Sequence, residues 1–451
     1  MSKRKLFGTD GIRGKANVYP MVSDIALKVG KALASVVMNE EKGAAIIIGK
    51  DTRLSGYMLE TALVSGIVSM GVDVYLVGPM PTPAVAHLTR SMTADAGIMI
   101  TASHNPATDN GIKIFNSEGF KLADEKEAEM ERLMFSDDID KMMVCGTKIG
   151  KAYRLEEANG RYIEFAKSTI QDMRLRGLKI VLDCANGAAY DVAPKVFKEL
   201  GAEVITLNNE PDGLNINLNC GAVHPENTAR EVLKHQADIG ITLDGDADRL
   251  IVCDEKGEVL DGDYILSFCA HQMLKDNTLQ KNTLVLTNYS NLGVDQGLRK
   301  MSGKVVRTDN GDRYVIEAMR TGGYNLGGEA SGHMIFSDYV PTGDGIISAL
   351  QFLKYLKIAG IKVSETRKYL TKNPQILDSF EVSEKKAFET MPKVAAKIAE
   401  IEAALEGSGR LLLRYSGTEN KCRIMIEGKE EDATAALVED LSQVIKAEIG
   451  I

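Results

Sequence analysis

The feature that most constrains the fold is a unit that recurs. An apolar run at 44–48 leads into the polar turn Gly49-Lys50-Asp51-Thr52-Arg53 and a helix-like stretch at 57–70, and further apolar runs follow at 72–77 and 96–100. The plan returns at 178–182, followed by Asp183-Cys184-Ala185-Asn186-Gly187, a helix to about residue 200 and a run at 203–207. It returns again at 283–287, followed by Asn288-Tyr289-Ser290-Asn291 and a helix. Apolar runs this short, alternating with helices, predict buried and largely parallel sheets. After Thr371-Lys372-Asn373-Pro374 the pattern changes: strand-like runs at 378–382, 409–413 and 423–427 are interleaved with helices, as in a small α+β domain. A chain of 451 residues exceeds one core. The expected architecture is three similar α/β domains with mixed, largely parallel sheets plus a C-terminal α+β domain. The expected boundaries are 1–154, 155–255, 256–371 and 372–451.

Charge excludes several partners. Lys+Arg is 54 against 63 Asp+Glu, a net charge of −9, so a nucleic-acid or anionic-membrane binder is not expected. An anionic small molecule would need a local cationic site. Trp is absent and aromatic residues are 6%, which argues against base-stacking platforms. The six Cys form no C-x-x-C pair, which fits reduced thiols. The first residues lack the apolar run of a signal peptide, and no apolar stretch reaches the roughly 18–20 residues of a membrane span. A cytoplasmic protein is expected.

Four loops call for a chemical explanation. Thr101-Ala102-Ser103-His104-Asn105-Pro106 follows an apolar run directly, then comes Asp109-Asn110-Gly111-Ile112-Lys113. Ligands of parallel sheets bind beyond the carboxyl ends of strands, so Ser103 stands where a nucleophile is useful, with His104, Asn105 and Lys113 as local activators. A polar turn stopped by Pro106 is the plain alternative. Asp244-Gly245-Asp246-Ala247-Asp248-Arg249 alternates three carboxylates with small residues. Three acids on one side of a tight loop repel unless a cation sits among them, and Mg²⁺ suits such oxygens. Gly328-Glu329-Ala330-Ser331-Gly332-His333 offers an acceptor, a hydroxyl and an imidazole suited to a sugar's hydroxyls. Arg414-Tyr415-Ser416-Gly417-Thr418-Glu419-Asn420, with Arg423 beyond it, could cradle a phosphate through two guanidiniums, Ser416, Gly417 and Thr418. Arg13 lies between glycines near the start.

These motifs, in this order, resemble the α-D-phosphohexomutase family over essentially the full length. Within it the chain is most similar to bacterial members that interconvert glucosamine 6-phosphate and glucosamine 1-phosphate. The stretches Phe7–Gly14, Asp109–Lys113 and Gly311-Asp312-Arg313-Tyr314-Val315 carry that closer likeness. Ala330 departs from the Gln usual there, and Ala247 from a frequent Gly. The resemblance implies four domains around a central cleft, one loop from each. It implies a phosphoserine at Ser103 that, with Asp244, Asp246 and Asp248, holds one Mg²⁺. Arg13, Lys113, His104 and Arg249 would serve the transfer, with the general acid/base left open among the first three. Glu329, Ser331, His333 and Arg313 would contact the sugar phosphate, and Arg414, Ser416, Gly417, Thr418 and Arg423 the non-reacting phosphate. Glucosamine 1,6-bisphosphate or a similar bisphosphate would act as activator, and a homodimer is compatible. The rival within the family is a phosphoglucomutase/phosphomannomutase of broad specificity.

Overall fold

The computed structural model describes residues 6–8, 10–38, 43–416 and 420–450. Among the described residues, four sheets account for the strands. The first has six strands in the order Ile12–Lys15, Asp109–Asn116, Ala96–Ile100, Ala45–Lys50, Asp73–Pro79 and Ala152–Arg154. Its centre is parallel, and Asp109–Asn116 runs antiparallel to both of its neighbours. The second has five, in the order Val259–Leu260, Leu250–Asp254, Ile239–Leu243, Lys179–Asp183 and Glu203–Leu207, of which the last three are mutually parallel. The third is Lys304–Thr308, Thr283–Thr287, Leu326–Gly328 and Met334–Phe336, parallel except for the last strand. The fourth is antiparallel: Gln375–Glu381, Lys421–Glu427 and Arg410–Tyr415. Mixed α/β sheets and a C-terminal α+β unit are therefore what the chain forms.

The three larger sheets share one device. In each, a parallel strand ends in a loop and the chain turns back as an antiparallel strand beside it. Ala96–Ile100 returns as Asp109–Asn116, Ile239–Leu243 as Leu250–Asp254, and Leu326–Gly328 as Met334–Phe336. The loops between them carry Ser103, the three aspartates and Glu329. The segment 109–113 is thus the start of a buried strand, not an extension of the serine loop as the sequence suggests. The polar Asp109-Asn110-Gly111 hides the start of the apolar run Ile112, Ile114 and Phe115, all buried.

One hydrophobic core runs through the first three sheets. Val85 and Leu88 of helix Thr82–Ser91, Tyr162 and Ile163 of helix Ala158–Ser168, and Phe268, Leu350 and Phe352 further along all belong to it. Burying such side chains gives roughly 1.5–3 kcal/mol each, so these units are held as one body. Helix Gly345–Ala359 sits in this core. Asp344 caps it, accepting from the N–H groups of Ile346 and Ile347 at 2.9 Å each and from the Tyr162 hydroxyl at 2.8 Å. The fourth sheet has a separate core with helices Pro392–Leu405 and Glu431–Ile449. Among the described residues no helix is long and apolar enough to cross a membrane.

Candidate active site

Ser103 is buried, and its backbone has φ +51°. Its hydroxyl donates to Asp244 Oδ2 at 2.7 Å and lies 3.3 Å from His104 Nδ1. The first two loops, far apart in sequence, therefore meet. Burial, then Arg249 and Arg13, lower the His104 pKa to about 4, so its ring is neutral near pH 7.

Ligand oxygens of Asp244, Asp246 and Asp248 lie within 4.8 Å of one another, and all three residues are buried. Asp246 Oδ2 accepts from Thr82 Oγ1 at 2.6 Å and from Lys113 Nζ at 3.0 Å. Asp248 Oδ2 accepts from Lys113 Nζ at 3.3 Å. The Oδ1 atoms of Asp246 and Asp248 are buried without a hydrogen-bond partner. Burial, then Asp248 and Asp246, push the Asp244 pKa well above the ordinary range. Burial acts the same way on Asp248, but Lys113, His333 and Arg249 outweigh it and hold that group well below the range. Two orphaned carboxylate oxygens and a third carboxylate forced toward protonation fit a hard divalent cation, which would satisfy all three.

The cations line the same place. Lys113 Nζ also lies 3.3 Å from Asp10, and Asp10 pairs with Arg13. Burial opposes the Lys113 charge, yet Asp10, Asp246 and Asp248 raise its pKa well above normal. Arg249 donates its backbone N–H to Asp244 Oδ1 at 3.2 Å, while its buried Nε makes no hydrogen bond and lies 4.0 Å from Asp248 Oδ1.

The third loop divides. Arg249 and His333 form a bridge between the second and third domains. Glu329 Oε1 accepts from the Gly311 N–H at 3.1 Å, and Ser331 donates to Glu329 Oε2 at 3.3 Å. The sequence reading sets His333 among the sugar contacts. The structure instead buries it behind the aspartates, with Nδ1 3.6 Å from Asp248 Oδ2 and the Gly343 N–H 3.2 Å from Nε2. Burial lowers its pKa, but Asp248, Asp312 and Glu329 outweigh that and raise it to about 9. A cation among the aspartates would cancel this pull, and the Gly343 N–H fits the neutral ring with its proton on Nδ1. Arg313 reaches across to Asp124 Oδ2 at 2.9 Å.

In the fourth domain, Arg414 and Arg423 are directly opposed on neighbouring strands. Two guanidiniums placed side by side suit an anion with several acceptor oxygens. Arg414 Nε also donates to Tyr289 Oη of the third domain at 2.9 Å. Ser416 is buried at the end of its strand, while Gly417 and Thr418 lie outside the described residues. Sequence reasoning missed Asp10 as the partner of Lys113 and Arg13, Thr82 as a donor to Asp246, and the half-buried Asp312. Asp10 and Asp312 lie in stretches the sequence does single out, but their partners are far along the chain, and Thr82 is a lone polar residue between prolines.

The chain matches four family descriptions in succession. Residues 4–140, 160–257, 261–373 and 379–444 match the phosphoglucomutase/phosphomannomutase alpha/beta/alpha domains I, II and III and the C-terminal domain. It is 53% identical over 448 residues to the phosphoglucosamine mutase of Geobacter sp. strain M21, covering 99% of each chain. It is 51% identical over 451 residues to that of Myxococcus xanthus, covering 100% of this chain and 98% of the relative. A solved phosphoglucomutase/phosphomannomutase family protein from Burkholderia thailandensis superposes with a TM-score of 0.81 at 25% identity, covering 99% of both chains. The N-acetylphosphoglucosamine mutase of Aspergillus fumigatus, solved with GlcNAc-6P and magnesium, shares the fold at a TM-score of 0.66 and 21% identity, covering 99% of this chain and 96% of that one.

Proposed function

The chain belongs to the phosphoglucomutase/phosphomannomutase family, and from that premise we propose that it is a cytoplasmic phosphoglucosamine mutase. It interconverts glucosamine 6-phosphate and glucosamine 1-phosphate, feeding UDP-N-acetylglucosamine and cell-wall synthesis. The observation that carries the reading is the Ser103 hydroxyl, 2.7 Å from the buried Asp244 in a triplet with unsatisfied oxygens. The full-length relatives support the choice of glucosamine.

Ser103 carries the phosphoryl group. In the forward half-reaction the P–Oγ bond breaks, a bond forms from phosphorus to the sugar's free hydroxyl oxygen, and the proton of that hydroxyl ends on the released Ser103 Oγ. The product is a 1,6-bisphosphate. It turns over in the cleft, and the phosphoryl group from the other position returns to Ser103 by the reverse steps. Asp244, Asp246 and Asp248, with the phosphoserine, would hold one Mg²⁺. When bound, that ion offsets charge on the transferring group. Lys113 and Arg13, kept cationic by Asp10, Asp246 and Asp248, stabilise charge and do not accept protons. Of the three acid/base candidates, the neutral His104 is the one with a lone pair, near Ser103 Oγ. Glu329 and Ser331 grip the sugar, Arg313 stands nearby, and His333 braces Asp248. Arg414, Ser416 and Arg423, with Gly417 and Thr418, hold the non-reacting phosphate. A glucosamine bisphosphate primes the enzyme.

One preparation assayed with the 1-phosphates of glucosamine, glucose and mannose tests the reading. The expected outcome is a clear preference for glucosamine 1-phosphate, with the mass of one phosphoryl group on Ser103 removed by phosphatase. Equal turnover of glucose and mannose phosphates would favour the broad-specificity enzyme, as Ala330 allows. Absence of isomerisation would overturn the mutase reading.

A further inference from the structure

The proposed transfer depends on where Ser103 Oγ points, and Thr101, with Arg53 and Asn217 from outside the four loops, fixes that direction. A serine with φ +51° lies in the left-handed region, which a non-glycine residue keeps only where its surroundings hold it. Both backbone groups of Ser103 are tied. Its N–H donates to Thr101 Oγ1 at 2.9 Å. Its carbonyl accepts from Arg53 Nη2 at 3.1 Å and from Asn217 Nδ2 at 2.8 Å. The same two donors hold the Asn105 carbonyl, at 2.5 and 3.0 Å respectively. Arg53 comes from the turn after strand Ala45–Lys50, and Asn217 from the second domain.

These donors are buried and specifically oriented. Arg53 is fully buried and paired with the equally buried Asp51. Asp51 Oδ1 also accepts from the Arg53 backbone N–H at 2.9 Å. The Thr101 hydroxyl oxygen offers a lone pair to the Ser103 N–H. The Asn217 amide keeps its Nδ2 on two carbonyls although its Oδ1 is left buried and unpartnered. The flipped amide would set an oxygen against both carbonyl oxygens, which fixes the assignment. A Cβ on Gly245 would fall 2.5 Å from the Ser103 carbonyl oxygen and 2.7 Å from Asn217 Nδ2, so the backbone of the aspartate loop rests on this clamp.

We infer that Thr101, Arg53 and Asn217 are positioning residues that lock the Ser103 backbone in its left-handed state and so aim its oxygen at Asp244 and the sugar. Through Asn217 the aim depends on how the second domain is seated. The inference rests on the mutase reading for its kinetic consequence but not for its structural one.

The test uses the full-length protein and the variants Asn217→Ala and Thr101→Val, which loosen opposite sides of Ser103. Steady-state kinetics with glucosamine 1-phosphate, phosphoserine occupancy by intact mass, and hydrogen exchange of residues 101–108 are measured for each. A misaim of about an ångström lowers kcat by about 10- to 100-fold. KM stays within about twofold, because the sugar contacts are untouched. Exchange at 101–108 rises in both variants while phosphoserine occupancy holds. A kcat near the wild-type value in both variants, or a raised KM at unchanged kcat, overturns the inference. If either variant does not fold, Arg53→Lys, which keeps the charge but loses the fork, is read in the same way. A wild-type protein that does not isomerise the sugar phosphate sinks the mutase reading alone. Unchanged exchange at 101–108 sinks the clamp alone, since that measurement needs no substrate.

Discussion

Lys113 shows how much of the site depends on one side chain. Its ammonium is buried and serves Asp10, Asp246 and Asp248 together. Lys113→Met keeps the apolar stem but leaves three carboxylates without that cation. Removing one partner of a buried pair costs about 3–5 kcal/mol. The melting temperature of this variant should fall steeply in chelator and recover in part with Mg²⁺, because a bound cation stabilises the folded state by mass action. An equal drop with and without Mg²⁺ would count against the metal assignment. Ser103→Ala removes only one oxygen from a residue held by its backbone, so it should fold normally. Its mutase turnover should fall by about 10³-fold or more, because the nucleophile itself is gone. Retained turnover in that variant would falsify the phosphoserine mechanism. Ser103 and the three aspartates were legible in the sequence because they fall in dense polar motifs after apolar runs. Asp10, Thr82, Arg53 and Asn217 were not, since each acts through a contact that only the tertiary fold creates, such as Asn217 on the Ser103 carbonyl.

At the scale of elements, the loop-bearing hairpin appears once in each of the first three domains and brings the loops together. Its parallel strands were legible as short apolar runs. Its return strands were not: Asp109–Asn116 opens with Asp-Asn-Gly, and Met334–Phe336 has only three residues. Helix Gly345–Ala359 ties the loop of the second hairpin to helix Ala158–Ser168. Its first N–H donates to the Ala247 carbonyl at 2.9 Å, and its cap, Asp344, also holds the Tyr162 hydroxyl. Losing such a cap costs about 0.5–2 kcal/mol. The Tyr162 hydroxyl, buried and then left unpaired, adds about 1–3 kcal/mol. Asp344→Ala should therefore lower the melting temperature clearly, and Asp344→Asn, which can still accept from the helix N–H groups, should lower it less. Equal melting of Asp344→Ala and the wild type would show that the cap contributes nothing.

At the scale of the whole molecule, the distribution of apolar contact predicts how the chain comes apart. One continuous core joins the first three sheets, whereas the fourth domain has its own, built on Val394, Ile401, Ile424, Leu441 and Ile445. The seam between them is polar. Asn291 and Asn373 exchange hydrogen bonds at 2.9 and 3.0 Å, Gln375 donates to the Tyr289 carbonyl at 3.0 Å, and the Leu292 N–H donates to Glu427 at 2.6 Å. A joint held by hydrogen bonds worth about 0.5–1.5 kcal/mol each gives far less coupling than a shared core, so the two bodies should not unfold as one cooperative unit. Calorimetry of the free protein should resolve two transitions, the smaller belonging to residues after Thr371. A sugar bisphosphate held at one end by Arg414 and Arg423 and at the other by the serine and aspartate loops would link the two bodies. Binding would then stabilise the fourth domain most and move the smaller transition toward the larger. A single transition in the free protein would mean that the polar seam couples the domains fully. Two transitions that both ignore the bisphosphate would mean that the Arg414–Arg423 face does not take part in holding it.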